Sequence, residues 1–171
     1  MTMTAIATTE DIDALELLVN SAYRGETSKK GWTTEADLLD GIRIDKERLE
    51  EIIRNSDSVI LKMIDEDGII TGCVNLQKKQ DSMFLGMLTV KPGAQGSGLG
   101  KRLMQEAEEY ARLQGCSRMV MTVISVRSEL IAWYERRGYH LTGEKKPFPS
   151  NDPRFGMPKI ELEFAVMEKQ L

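Results

Sequence analysis

Three glycines at alternate positions, Gly96, Gly98 and Gly100, stand where an apolar run, Phe84 to Val90, meets a long amphipathic segment, Leu99 to Leu113. That pattern calls for a strand that turns sharply into a helix. Glycine lets the backbone take positive φ and lets a ligand come close. The first amides of a helix lack internal partners and sit at the positive end of its dipole. The stretch from Val90 to Lys101 is therefore a candidate anion site, with phosphate or pyrophosphate as its guest.

The segments around this turn have readable periods. Thr4 to Thr8 reads as a short first strand. Thr8 or Thr9 caps a helix from Glu10 to Tyr23, with Ile12, Leu15, Leu18 and Val19 on one face. Arg24 to Thr33 is a polar loop, Thr34 to Asp40 a short helical turn, and Asp45 to Arg54 a helix that packs Leu49, Ile52 and Ile53 inward. Strands follow at Ser58 to Ile64, Ile69 to Gln77 and Ser82 to Val90, with turns at Asp65-Glu66-Asp67-Gly68 and Lys78 to Asp81. After the glycine turn, a helix runs to Gln114 and stops at Gly115. Then come a strand from Arg118 to Ile124, a helix from Ser128 to Arg137 closed by Gly138, and a short strand from Tyr139 to Gly143. Glu144 to Pro158 holds four of the five prolines and reads as a long loop. Lys159 to Glu168 closes the chain as an alternating strand. This order gives an α/β (α+β) fold with a mixed sheet, not the regular βαβ repeat of a doubly wound domain.

Bulk properties bound the function. The 171 residues, 41% of them hydrophobic, suit one domain over 1–171 with a sizeable core. A net charge of -4 argues against nucleic acid as a partner. No apolar run approaches the roughly 20 residues that span a bilayer, and no basic region with an apolar core opens the chain. Neither a membrane partner nor a signal peptide is expected. Cys73 and Cys116 lie far apart, and His140 is the one histidine, so no zinc site and no metal is expected. Both cysteines read as small buried hydrophobes, His140 as packing or surface, and the location as cytoplasmic.

Two common owners of a glycine-rich turn fit poorly. A nucleotide-hydrolase phosphate loop ends Gly-Lys-Ser/Thr, but Arg102 follows Gly100-Lys101 here. The dinucleotide fingerprint spaces its glycines Gly-x-Gly-x-x-Gly within a βαβ unit, which the preceding hairpins deny. Instead, Gln95-x-x-Gly98-x-Gly100 after Val90-x-Pro92 resembles the acetyl-CoA motif of the GNAT superfamily of acyl-CoA-dependent N-acetyltransferases. The segment Trp133-Tyr134-Glu135-Arg136-Arg137-Gly138-Tyr139 is similar to that family's second signature. The resemblance covers about Thr4 to Glu168.

The resemblance implies a mixed, mostly antiparallel sheet, flanked by helices and splayed into a V where the family's fourth and fifth strands part, with acetyl-CoA in the V. It assigns the pyrophosphate to Gln95, Gly96, Ser97, Gly98, Leu99, Gly100 and Lys101, with Arg102 adding charge, and the pantetheine arm to the backbone of Leu88 and Val90. It assigns Tyr134 the role of general acid toward the leaving thiolate, without a metal. The acceptor is then an amine of a small molecule or peptide. Two departures stand out. The strand before the glycine turn carries no carboxylate, which puts a strand-borne base in question; deprotonation then uses Glu26, Glu35 or Asp37 through water, or no dedicated base. Arg127 stands where relatives often carry asparagine, with Ser125 or Ser128 nearby to supply a polar contact. Glu26, Trp32 and Glu35, in the region of the acceptor loop, are the candidate substrate residues and favour a cationic amine. The loop from Lys145 to Met157, with Phe148 and Phe155, is the candidate opposite wall. A non-catalytic acyl-CoA sensor on the same fold is the alternative. A homodimer through an exposed edge strand or Lys159 to Glu168 is a further expectation.

Overall fold

The structure, a computed structural model, describes residues 2–23, 39–40, 43–94, 98–148, 157–159 and 162–171, with backbone alone at 39, 40 and 157. The chain opens with strand β1 (Met3–Ile6) and a 3-10 turn (Thr9–Asp11) leading into helix α1 (Ile12–Tyr23). Thr8 caps the turn: its side chain accepts from the Glu10 amide, and its own amide donates to Asp11 at 2.8 Å. After β2 (Leu39–Asp40) comes helix α2 (Lys46–Arg54), whose cap Asp45 accepts from the Arg48 amide at 2.7 Å. Strands β3 (Ser58–Ile64), β4 (Ile70–Lys79) and β5 (Ser82–Val90) follow as two hairpins. Helix α3 (Leu99–Leu113) leads to β6 (Arg118–Ile124), and helix α4 (Ser128–Glu135) to β7 (His140–Pro147). Strands β8 (Met157–Pro158) and β9 (Glu163–Gln170) end the chain.

Among the described residues the main sheet has seven strands in the order β1-β3-β4-β5-β6-β9-β7, and β2 pairs with β8 apart from it. Every main-sheet pairing is antiparallel except β5 with β6, the pair joined through α3. That parallel pairing runs from Ser82↔Arg118 to Leu85↔Met121 and stops, although β5 continues to Val90 and β6 to Ile124. The two strand ends part and open the sheet into the V.

Each face of the sheet has its own core. Leu15, Val19, Leu49, Ile60, Cys73 and Met87 pack together under α1 and α2. Met63, Leu76, Met83, Leu103, Met119 and Met121 pack on the other side with α3 and α4. Burying each such side chain stabilises the fold by about 1.5–3 kcal/mol. Met83, Met104, Met119, Met121 and Met167 are almost fully enclosed, as unbranched side chains that fill uneven gaps. Both cysteines are buried and unbridged, and burial pushes the Cys73 thiol up to about 12.

Several expected boundaries move. Leu39–Asp40 is a strand pair with β8 rather than the end of a helical turn, and 34–38 lie outside the described residues, as does the expected loop at 24–33. The Lys78-to-Asp81 turn shrinks to Gln80 and Asp81, because β4 pairs on through Lys79↔Ser82. Strand β7 runs to Pro147, into the expected proline loop. It is a fully exposed edge strand, so no apolar alternation marks it. The closing strand starts at Glu163, and burial of Ala165, Val166 and Met167 in succession replaces simple alternation. Strand β9 lies between β6 and β7, so the part of the expected dimer segment from Glu163 to Glu168 offers no free edge to a second copy. No helix among the described residues is long and apolar enough to cross a membrane.

One buried acid ties the elements behind the V. Glu108 of α3 accepts from the Tyr139 hydroxyl at 3.0 Å and from the Lys169 ammonium at 2.8 Å, joining α3, the end of α4 and β9. Glu108→Ala strands both partners and is expected to lower stability by about 2–3 kcal/mol. Glu108→Gln, which still reaches Tyr139, should cost less. Urea midpoints at constant slope measure both; parent-like midpoints would show that this corner does not depend on Glu108.

Candidate active site

The glycine turn enters α3 without a side-chain cap. Gly98, at the cap position, has φ +83°, and a Cβ there would meet nothing within 4 Å. It is glycine for its backbone angle, since other residues rarely adopt the left-handed region. The first intrahelical bond runs from the Arg102 amide to the Gly98 carbonyl at 3.0 Å. The amides of Leu99, Gly100 and Lys101 therefore precede the helical ladder, and the first turn holds no acid to answer the dipole. Gly100 is glycine for a different reason. A Cβ there would lie 3.3 Å from the Trp133 ring of α4 and 3.7 Å from Val90. The Arg102 guanidinium, expected near the anion, donates instead to the Thr2 carbonyl at 2.8 Å. Gln95, Gly96 and Ser97 lie outside the described residues.

Strand β5 carries a bulge beside the V. Cys73 pairs with Thr89 and Asn75 with Gly86, so Met87 and Leu88 together face Val74. Met87 takes φ +56°, rare for a side chain of its size. Side chains brace both ends of the bulge: the Thr89 hydroxyl donates to the Met87 carbonyl at 2.9 Å, and the Tyr23 hydroxyl of α1 donates to the Leu88 carbonyl. Val90 ends the same strand, next to Gly100.

Tyr134 reaches the V from the opposite side of the sheet. It is 5% exposed, stacked edge-on with Trp133 at 5.2 Å and with Tyr139 at 6.0 Å. The signature around it has a structural cause. Gly138 turns back with φ +94°, and the Arg137 and Tyr139 amides donate to the Tyr134 carbonyl at 2.9 and 3.2 Å. Arg137 covers Trp133, its guanidinium 3.6 Å from the ring centre and bonded to the Trp133 carbonyl at 2.8 Å. Burial, with nearby Tyr23 adding to it, pushes the Tyr134 phenol well above its ordinary value; Arg127 and Arg137 oppose the shift. Tyr139 is raised as well, by burial first and then by Glu108.

A cavity of about 500 Å³ opens where β5 and β6 part, and Tyr23, Leu88 and Tyr134 meet along its wall. Phe148 lines it as expected of the opposite wall; Phe155 lies outside the described residues, as do Glu26, Trp32, Glu35 and Asp37. Arg127 lines the cavity, whereas Ser125 and Ser128 do not. His140 sits on the surface, 3.6 Å from Glu168. Tyr23, Arg43 and Arg48 are among the lining residues that sequence does not mark as part of a site. Tyr23 looked like one more apolar position of α1, and no local pattern marks an arginine that faces a cavity.

The raised phenols make a titration prediction. Ionising either ring in the folded protein is disfavoured, so the stability they contribute is present below the ordinary phenol pKa of about 10 and is lost as pH rises above it. Absorbance at 295 nm should show Tyr134 and Tyr139 silent past pH 10 until the chain unfolds. Titration of all four tyrosines near pH 10 in folded protein would contradict their burial.

Comparison with known proteins places this geometry. Residues 24–139 match the model of the acetyltransferase (GNAT) family. An amino-acid acetyltransferase of Ralstonia nicotianae is 36% identical over 113 residues, covering 63% of this chain and 23% of that protein. A streptothricin acetyltransferase of Streptomyces lavendulae is 28% identical over 91 residues, 52% of this chain and 48% of its own. This chain thus spans less than half the length of either relative. Among solved structures, a PaiA N-acetyltransferase of Thermoplasma acidophilum in complex with coenzyme A superposes with TM-score 0.71 at 20% identity, over 100% of this chain and 99% of that one. The ribosomal-protein-S18-alanine N-acetyltransferase of Escherichia coli gives 0.73 at 14% identity, covering 99% and 94%. Both share the fold.

Proposed function

This chain belongs to the acetyltransferase (GNAT) family, and we propose from that premise that it transfers an acetyl group from acetyl-CoA directly to the amine of a small molecule or peptide, with Tyr134 as general acid. The observation that carries this reading is the arrangement at the V. The uncapped start of α3 packs against Val90 at the end of β5, the bulge of β5 lines the opening, and a buried phenol reaches it from α4.

The residues suit the co-substrate. Amides of Leu99, Gly100 and Lys101, at the uncapped start of α3, suit the pyrophosphate, and the family resemblance extends that role to Gln95, Gly96, Ser97 and Gly98. The backbone of Leu88 and Val90 offers the pantetheine arm an added-strand partner. Bound acetyl-CoA supplies an electrophilic thioester carbon. The amine nitrogen bonds to that carbon as the carbon–sulfur bond breaks, and the nitrogen sheds its proton to solvent. The Tyr134 hydroxyl gives its proton to the departing sulfur and regains one from water. An ordinary phenol already carries its proton at neutral pH, and burial keeps Tyr134 in that form. A backbone amide at the bulge that Tyr23 braces, that of Leu88 or Val90, would polarise the thioester carbonyl, whose oxygen gains negative charge.

We read 1–171 as one such domain, cytoplasmic, consistent with two buried, unbridged cysteines. The net charge of -4 favours small-molecule over nucleic-acid partners. For a homodimer the sheet leaves its outer strands, β1 and β7, as the available edges.

Acetyl-CoA at 100 times its Kd should stabilise the protein by about 2.7 kcal/mol, read by thermal melting. Tyr134→Phe should cut kcat by about 10²-fold or more while leaving CoA affinity unchanged. An unshifted melt would sink the site assignment, and an undiminished kcat would remove Tyr134 as the acid. A shifted melt with no thiol release across an amine panel would instead favour an acyl-CoA sensor.

A further inference from the structure

The cavity divides unevenly between the two substrates. Gly98 to Lys101 and Val90 do not line it; its wall comes from α1, α2 and the segment between them, from β5 and β6, and from Arg127 and Tyr134. Leu88 and Tyr134, which serve the thioester end of acetyl-CoA on the reading above, share this wall with residues of α1 and α2 that the co-substrate does not claim. The cavity's charged residues are Arg43, Arg48 and Arg127, and no Asp or Glu is among its described lining. This runs against the whole chain, whose net charge is -4. The positive charge is thus a local arrangement and does not follow from composition.

Arg43 is also held in place. The Asn20 side chain of α1 accepts from the amides of Arg43 and Ile44 at 2.7 and 3.0 Å and donates to the Ile44 carbonyl at 2.9 Å. The Arg43 guanidinium lies 5.5 Å from the centre of the Tyr23 ring. Arg48 follows on α2, with Glu51 accepting from it at 3.1 Å on the solvent side. Ile44, Ile52, Phe148 and Phe164 supply apolar walls. A purely cationic amine gains nothing from three guanidinium groups, which repel it. An amine that also carries a carboxylate gains charge-assisted hydrogen bonds.

We infer that the acceptor is an amine bearing a carboxylate, of the free amino-acid type, its carboxylate facing Arg43 and Arg48 and its nitrogen directed toward Tyr134. This rests on the acetyltransferase reading and names the substrate class of that site. It reverses the expectation of a cationic acceptor drawn to Glu26 and Glu35. The same guanidinium groups disfavour a neighbouring ammonium, which helps an amino acid reach the neutral form that attacks, on a strand that carries no base.

The test compares L-methionine and L-glutamate with their α-amides, and with spermidine, by thiol release from acetyl-CoA. Each acid should exceed its amide in kcat/KM by about 10-fold or more. Arg43→Gln and Arg48→Gln should raise KM for the acids by about 10- to 100-fold, with little change for the amides and none in CoA affinity. Arg43→Lys should recover part of the loss. Calorimetric titration of L-methionine into CoA-bound protein reads the subsite without turnover. Binding that Arg43→Gln abolishes would uphold the carboxylate site even if no amine were acetylated, and the catalytic reading alone would fall. Equal use of acids and amides, preference for spermidine, loss of CoA affinity in the arginine variants, or no binding of either acid would overturn the inference.

Discussion

The parallel pairing of β5 and β6 stops at Leu85 and Met121, and the site exists because it stops. A sheet that kept pairing to Val90 and Ile124 would have no opening, and the backbone of β5 would spend its hydrogen bonds on β6. The bulge at Met87 and Leu88 marks where β5 changes course. Met87 holds a positive φ there, a conformation that persists only when its surroundings impose it. Tyr23 and Thr89 supply that constraint from the two ends of the bulge.

The opening is useful because the elements beside it are packed tightly. Gly100 lets α3 approach Trp133, and Trp133 is covered by Arg137 and stacked against Tyr134. Tyr139 contacts Tyr134 and binds Glu108, which binds Lys169 of β9. A run of ring contacts and one buried ion pair thus joins the start of α3 to the phenol at the V. The uncapped start of α3 and the Tyr134 phenol belong to one tightly packed corner, the condition for groups to be preorganised.

Much of this was legible beforehand. The bounds of β3, β5 and β6 match their apolar runs, because central strands are apolar along their length. Thr8, Asp45 and Gly115 mark helix ends through local chemistry that sequence displays. Strand β7 was cut short in the reading because an exposed edge strand has no pattern to show. Leu39–Asp40 was misread because its partner lies more than a hundred residues away, at β8.

For the site the division is sharper. Glycine spacing and the Tyr134 signature were enough to place a strand-to-helix turn and a helix end, since both depend on local backbone geometry: a left-handed cap at Gly98 and a left-handed stop at Gly138. Sequence treated Gly98 and Gly100 alike; the packed molecule separates an angle-bearing glycine from a contact-bearing one. It also brings Tyr23, Arg43 and Arg48 to the cavity from segments with no common motif. The glycine turn and the Tyr134 signature are written in neighbouring residues, whereas the cavity wall is assembled across α1, α2, β5 and β6. The charge of that wall, carried by Arg43, Arg48 and Arg127, depends on which side chains tertiary packing turns inward.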